Sequence, residues 1–301
     1  MGDKMLSEEI KNIAKSSLID VLGFTDASEF SNYAMKQSKR RDPKLTLPQT
    51  KSIVIAGIYI GGITMPEWDD PWYGRTSRLY LSGFFLDVVK PLTPIAEYLI
   101  GMGYKAQICD GSIDGGSILP LKLAAVRAGL GWQGKHSLLI SKKYGTFLAL
   151  GGIITDAKLE HTGEREPNRC HKCTECQKAC PVDALHDPYI LNRKKCMSNL
   201  LAEESLAQEI AAAMENRIGD CEICQNACPW NKKHLENPLN TKMTTFFQNK
   251  INRFRETFYL HNLCKLSKID YNAVFGSLNT QIPYHIFKRN IDLALENAKR
   301  I

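Results

Sequence analysis

CHKCTECQKACP (170–181) and CEICQNACPW (221–230), with Cys196 alone between them, hold eight of the chain's ten cysteines. The first stretch is C-x2-C-x2-C-x3-C-P, a bacterial iron–sulfur spacing whose fourth cysteine ligates the other of two clusters. It therefore offers three ligands to one [4Fe–4S] cube and one to its neighbour. The second half must return four more, and it holds four: Cys196, Cys221, Cys224 and Cys228. The sharing rule assigns Cys170, Cys173, Cys176 and Cys228 to one cluster, and Cys180, Cys196, Cys221 and Cys224 to the other. Zinc competes, because paired C-x2-C elements also make tetrahedral sites. Zinc does not, however, need a third cysteine at that spacing or a Cys-Pro in both halves. A disulfide scaffold would be short and cysteine-dense throughout, whereas the first 108 residues here contain no cysteine. Cys109 and Cys264 are left over and read as small buried apolar residues.

A chain of 301 residues is too long for a bare cluster module. It divides into a domain over 1–160, a double-cluster domain over 161–235 and a basic helical appendage over 236–301. The N-terminus is amphipathic and charged, with no apolar stretch of the kind that directs export. No run approaches 18 uninterrupted apolar residues, so no membrane span is expected. Reduced thiolates without an export signal point to the cytoplasm. The formal charge is +7, which two oxidised cubes would lower to about +3. Residues 236–301 hold ten Lys or Arg against five Asp or Glu, and KQSKRRDPKLTLPQTK (36–51) is also basic. Such runs are ordinary solvated surface or the footprint of a polyanion such as RNA.

Periodicity predicts a helix over 4–22, a buried strand over 52–60 and a loop over 62–77. Residues 79–102 have helical spacing, with Pro91 and Pro94 expected to break or kink it. A short strand over 104–110 and a helix over 118–129 stopped by Gly129 follow. Residues 137–155 read as a β-hairpin turning near Lys143–Gly145, and 203–217 as a long helical connection between the two half-sites. This irregular alternation indicates an α+β fold, an α/β sandwich followed by a mostly helical, ferredoxin-like module.

The second informative stretch is AGLGWQGK (128–135), followed by HSLLI. Its glycines allow close backbone approach, and Trp132 and Lys135 supply a π-face and a charge. It matches neither phosphate-loop pattern, and a helix C-cap with a tight turn is the plain alternative. Taken with YGTFLALGGIIT (144–155), RKKCMSNLLAEE (193–204), NRIGDCEICQNACPWNK (216–232), LGFTDA (22–27), KRRDPKLTLPQTKSIVIAGIYI (39–60) and FKRNIDLALENA (287–298), it resembles the epoxyqueuosine reductase family. These marks span almost the whole chain, without the C-terminal helical-repeat extension that many members carry.

The resemblance implies a three-layer α/β cobalamin domain and a two-cluster module that passes electrons singly to cobalt, cycling cob(II)alamin and cob(I)alamin. The implied reaction is two-electron deoxygenation of epoxyqueuosine to queuosine in the tRNA anticodon stem-loop. A low-potential donor such as flavodoxin or ferredoxin and a monomeric state are also implied. Ser198, two residues after the ligand Cys196, matches a serine near the corrin. Arg40 matches an arginine that approaches the cofactor, and Ile140 and Leu150 match positions touching it, although an apolar core explains both equally. Lys135 is a candidate polar contact to substrate or cofactor. The family's proton-donating aspartate would fall at Gly115; the nearest carboxylate is Asp114, with Asp110 as the other candidate. The family's D-Y-H segment reads SGFFLDVV (82–89) here. Both departures lie on the substrate side, so a paralogue that reduces another small electrophile is the alternative. A plain electron carrier and an RNA-binding protein with structural clusters are two more. His136 and His161 read as surface histidines.

Overall fold

The computed structural model describes residues 2–31, 42–82, 89–109, 119–275 and 282–301. Along the chain run α1 (Asp3–Ser16), β1 (Val21–Asp26), β2 (Ser52–Tyr59), α2 (Arg78–Ser82), α3 (Val89–Gly101), β3 (Ala106–Cys109) and α4 (Leu121–Arg127). Next come β4 (Trp132–Gln133), β5 (Leu139–Ile140), β6 (Leu148–Thr155), α5 (Glu175–Lys178), α6 (Met197–Leu200), α7 (Gln208–Ala213) and α8 (Ile223–Asn226). The C-terminal part holds α9 (Lys232–Glu236), α10 (Lys242–Asn252), α11 (Leu260–Leu263), α12 (Lys268–Phe275) and α13 (Tyr284–Ala298). They form two compact units: Met1–Tyr59 with Phe85–Gly134 and Leu138–His171, and Ile60–Phe84 with Lys135–Ser137 and Lys172–Ile301.

The first unit is built on a sheet of order β1-β2-β6-β3, antiparallel at each pairing. Every residue of β2 is buried, as its unbroken apolar run requires. Side chains alternate across a strand. Ile53 and Ile55 join Ala124, Ala125, Leu139 and Ile154 in one core, under α4. Val54, Ala56 and Ile58 therefore face the other way. That side is served by α3, packed on β3 and β6, and by α1 packed on α3, whose Leu6, Ile10, Leu92, Ile95 and Leu99 are all buried. Each such side chain contributes about 1.5–3 kcal/mol on burial. The result is the expected helix–sheet–helix layering.

Four local expectations are corrected. The helix expected over 4–22 ends at Ser16, because Ser17 returns its N–H to Ile13 and Ala14 and Leu18 takes φ 63°. The chain leaves that left-handed residue as β1. Pro91 and Pro94 do not stop α3. Pro91 stands in the first turn, where no N–H is needed, and burial of Leu92, Ile95 and Leu99 offsets the bond lost at Pro94. The turn at Ser141–Gly145 exists, closed by two backbone bonds of 2.8 and 2.9 Å. Its arms part, however: β5 pairs with β4, while β6 pairs with β2 and β3. Of the connection over 203–217, only Gln208–Ala213 is α-helical, and Glu215 reverses the chain at φ 53°.

AGLG has a structural explanation. Gly129 caps α4 at φ 77°, and Gly131 passes so close to β5 that a Cβ there would stand 2.1 Å from the Ile140 carbonyl oxygen.

In the second unit, residues 60–82 pack with the C-terminal half. Gly74 N–H donates to the Phe258 carbonyl at 2.7 Å, Arg75 N–H to Asn216 at 2.8 Å, and Ile218 N–H to Arg75 at 2.9 Å. Phe258, Tyr271, Phe275 and Phe287 form an aromatic core with ring centroids 4.6–5.6 Å apart. The asparagines of FKRNIDLALENA act as clamps. Buried Asn290 donates to the carbonyls of Leu201 (2.9 Å) and Ile218 (3.0 Å), and Asn297 to those of Ala211 (2.8 Å) and Glu215 (3.0 Å). Thus α13 fixes the connection between the two cysteine half-sites. Among the described residues no helix is long and apolar enough to cross a membrane.

Candidate functional site

All ten cysteines are free. In the second unit Cys176, Cys180, Cys196, Cys221 and Cys224 lie near enough that their charges act on one another. Burial raises the Cys224 thiol above the ordinary range, and the neighbouring Cys221, Cys196, Cys176 and Cys180 raise it further. Burial also pushes Cys221 up to about 11 and raises Cys196. Left alone, such thiols would stay protonated; bound iron supplies the positive charge that lets them ionise. Three of the four neighbours of Cys224 are the partners that the spacing assigns to it.

Backbone donors are already aimed at the sulfurs. Ala184 N–H donates to Cys180 Sγ at 3.3 Å. The amides of Ser198 and Asn199, at the start of α6, point at the Cys196 sulfur, and that of Ile223, at the start of α8, at Cys221. Hydrogen bonds to sulfur are one of the means by which a protein sets cluster potential. Among the described residues no three His, Cys, Asp or Glu converge on a single-ion point. A cube meets its thiolates at four separate irons and does not ask them to. Cys228 is buried at the start of the Pro229–Asn231 turn. In the first unit Cys170 takes the Asn168 carboxamide oxygen on its amide at 2.9 Å.

Two carboxylates that sequence reading missed flank Cys221. The Asp220 carboxylate accepts the hydroxyls of Ser77 and Ser198 and, at 2.8 Å, the amide of Cys221. Burial raises its pKa while these donors pull it back. Glu222 is buried against Arg78, which gives it both the guanidinium Nη1 and, at 2.9 Å, its own backbone N–H. Burial raises the Glu222 pKa and Arg78 opposes the rise. Arg78 also stacks over Trp68, its guanidinium carbon 5.0 Å from the ring centroid. The one available signal was acidic residues on both sides of a ligand cysteine, which reads locally as surface.

Ser198 is therefore held by Asp220. The Lys135 ammonium donates to the Cys173 carbonyl at 2.8 Å. Ile140 is wholly buried, main chain included, and pairs with Trp132 of β4, while Leu150 packs half-buried against the core under α4. Arg40, Asp110, Asp114 and most of SGFFLDVV lie outside the described residues. Cys109 is core, whereas Cys264 is half-buried, 3.8 Å from Asp292. His161 is surface, 3.5 Å from Asp26, but His136 is buried and corrects the surface reading.

Residues 169–231 match the family model of a 4Fe-4S double cluster binding domain. Over 246 residues the chain is 31% identical to the epoxyqueuosine reductase of Bacillus subtilis (strain 168), covering 72% of this chain and 61% of that relative. It is 32% identical to that of Gloeobacter violaceus over 54% of this chain and 50% of the relative. The chain thus spans between half and about three-fifths of the length of these curated relatives. A crystal structure of selenomethionine-labelled epoxyqueuosine reductase superposes with a TM-score of 0.78 at 26% identity, covering 98% of this chain and 82% of that one. Epoxyqueuosine reductase with an epoxyqueuosine-modified tRNA-Tyr stem loop shares the fold at 24% identity, with a TM-score of 0.77 over 98% and 82% of the two chains. A reductive dehalogenase described as B12-dependent shares it more distantly, at 16% identity and a TM-score of 0.57 over 99% of this chain and 38% of that one. Cysteine spacing and these similarities agree: over most of its length the chain is similar to the epoxyqueuosine reductases.

Proposed function

We propose that the chain is an iron–sulfur- and cobalamin-dependent reductase that removes the epoxide oxygen of epoxyqueuosine in tRNA. One observation carries this reading: the cluster of Cys176, Cys180, Cys196, Cys221 and Cys224, largely shielded from solvent, with backbone N–H groups aimed at its sulfurs, in a chain similar to this family. Two [4Fe–4S] clusters fit that donor set, one on Cys170, Cys173, Cys176 and Cys228, the other on Cys180, Cys196, Cys221 and Cys224. Such clusters reach low potentials and pass electrons singly. The B12-dependent fold neighbour and the reductase solved with a tRNA stem loop support cobalamin and tRNA respectively. When bound, cobalamin supplies the cobalt centre that gathers two electrons and acts on the epoxide.

The protein's own part is to bind, orient and donate protons. Ser198, Arg40, Leu150 and Ile140 are the residues we assign to the corrin. Asp220 fixes the Ser198 hydroxyl, so that group is oriented in advance. Asp114 is assigned as the acid that protonates the departing oxygen. Two electrons and two protons convert the epoxide to an alkene and release the oxygen as water. A tRNA substrate and oxygen-sensitive clusters support a cytoplasmic location.

The test uses protein loaded with iron, sulfide and cobalamin, reduced chemically without oxygen and given an epoxyqueuosine-modified RNA stem-loop. Nucleoside mass spectrometry should find queuosine, and Asp114→Asn should lower its rate by about 10²- to 10⁴-fold. No queuosine from protein with intact clusters and bound cobalamin overturns the substrate. That result would favour reduction of another small electrophile, the reading suggested by an acid one residue out of register.

A further inference from the structure

We infer that the loop over 181–195 is the docking surface for the electron donor, and that the donor is a small acidic redox protein. The inference rests on the two-cluster reading above. The loop joins Cys180 to Cys196, two ligands assigned to one cluster, and it is a built structure. Ala184 N–H meets Cys180 Sγ, and Asn192 N–H meets the Ala184 carbonyl at 2.9 Å. Cys196 N–H donates to the Asn192 carbonyl at 3.1 Å. The Gln177 side-chain amide holds the carbonyls of Leu185 (2.9 Å) and His186 (3.0 Å). At the tip Tyr189 N–H donates to the Lys135 carbonyl at 2.9 Å, and the Lys135 ammonium rests on the Cys173 carbonyl. The loop therefore touches Cys180 and Cys196 of one cluster directly and is linked through Lys135 to Cys173 of the other.

Its outer surface is apolar at the tip and basic beside it. Pro188 is exposed, as are Tyr189 and Ile190 at 37% and 54%. Arg193, Lys194 and Lys195 are exposed in succession immediately before the ligand Cys196. Between 172 and 195 there are five Lys or Arg against three Asp or Glu. Of those acids, Asp183 is already engaged by His186 at 3.4 Å and Lys195 at 4.0 Å. An apolar centre with a basic rim complements a partner whose redox group lies in an acidic surface. Encounters of this kind use small interfaces and are steered by charge. RNA suits the tip less well, because sequence-tolerant strand binding stacks successive bases on aromatic faces and only Tyr189 offers one. Each encounter moves one electron: the reduced donor is oxidised by one and an oxidised cluster is reduced by one. Two encounters supply the pair that the reaction consumes.

Stopped-flow mixing of fully reduced flavodoxin with protein carrying both clusters, followed by cluster bleaching, tests the surface. At low salt, Arg193→Glu with Lys194→Glu and Lys195→Glu should slow this reduction at least ~10-fold and flatten its salt dependence. Ile190→Ser should slow it severalfold without changing charge. Reduction by methyl viologen and the iron content should stay at wild-type values. If the triple variant also slows viologen, Ile190→Ser decides by the same comparison. Unchanged flavodoxin rates overturn the inference. So does loss of RNA stem-loop binding with an unchanged flavodoxin rate, which would give the surface to RNA. No arm contains epoxyqueuosine, so failure of the substrate reading leaves this result interpretable.

Discussion

Arg78 and Glu222 form a charged pair with almost no solvent contact, one residue from a ligand cysteine. Bringing two such charges out of water costs several kcal/mol for each, so the pair holds only while both partners are present. Three contacts, Arg78 Nη1 and N–H on Glu222 and Nη1 on Asn226 at 3.3 Å, tie residues 60–82 to the second cysteine run, while Nε holds the Gly61 carbonyl at 3.3 Å within that segment. Arg78→Met should therefore lower unfolding free energy by about 3–5 kcal/mol, read by anoxic urea denaturation of the cluster-loaded protein. Arg78→Met combined with Glu222→Gln should lose clearly less, because no uncompensated charge stays buried. Equal losses in the two variants would mean that packing, not charge, holds the segment. None of this is legible in GRTSRLY, where arginine and serine read as ordinary loop residues. The partners stand 144 residues away, and no local periodicity records such a distance.

At the scale of elements, spacing and burial agreed wherever a segment's environment is uniform. β2 is buried on both faces and reads as an unbroken apolar run; α4 ends where Gly129 must take a left-handed turn. Reading failed where a neighbour decides. VLGFTD becomes a strand because β2 offers it a full antiparallel register from Val21–Gly57 to Asp26–Ser52, not because its own pattern outweighs the preceding helix. The arms of the 141–145 turn part because β2 and β3 occupy both edges of β6 and leave none for β5. The pattern of AGLGWQGK suggests chemistry, yet Gly129 serves as the left-handed cap of α4 and Gly131 as a close backbone approach to β5. Gly131→Ala makes that testable. At φ 157°, with a Cβ driven against the Ile140 carbonyl, strain of at least about 1–3 kcal/mol is expected. Thermal unfolding should fall by several degrees. An unchanged melting temperature would mean that β5 yields freely to a side chain.

For the molecule as a whole, each unit is stabilised by its own means, and loss of iron should affect the two differently. The first unit has its own apolar core on each face of a four-stranded sheet. The cysteine region of the second has helices of only four residues at α5, α6 and α8. Helices that short have no independent stability in water. Thiols raised as far as those of Cys221 and Cys224 add no stabilising charge until iron binds. Binding free energy is then folding free energy for that region, as it is in other small metal-organised modules. The clamps from Asn290 and Asn297 hold only the connection between half-sites, not the ligands themselves. Hydrogen exchange before and after anaerobic iron chelation should show this directly. The amides of Ala184, Ser198, Asn199 and Ile223, which point at sulfur, should lose protection by orders of magnitude. Those of Val54, Ile55, Ile153 and Ile154 in β2 and β6 should keep theirs. Uniform loss across both sets would mean that the sheet also depends on the clusters. Uniform retention would mean that the cysteine loops are organised without them.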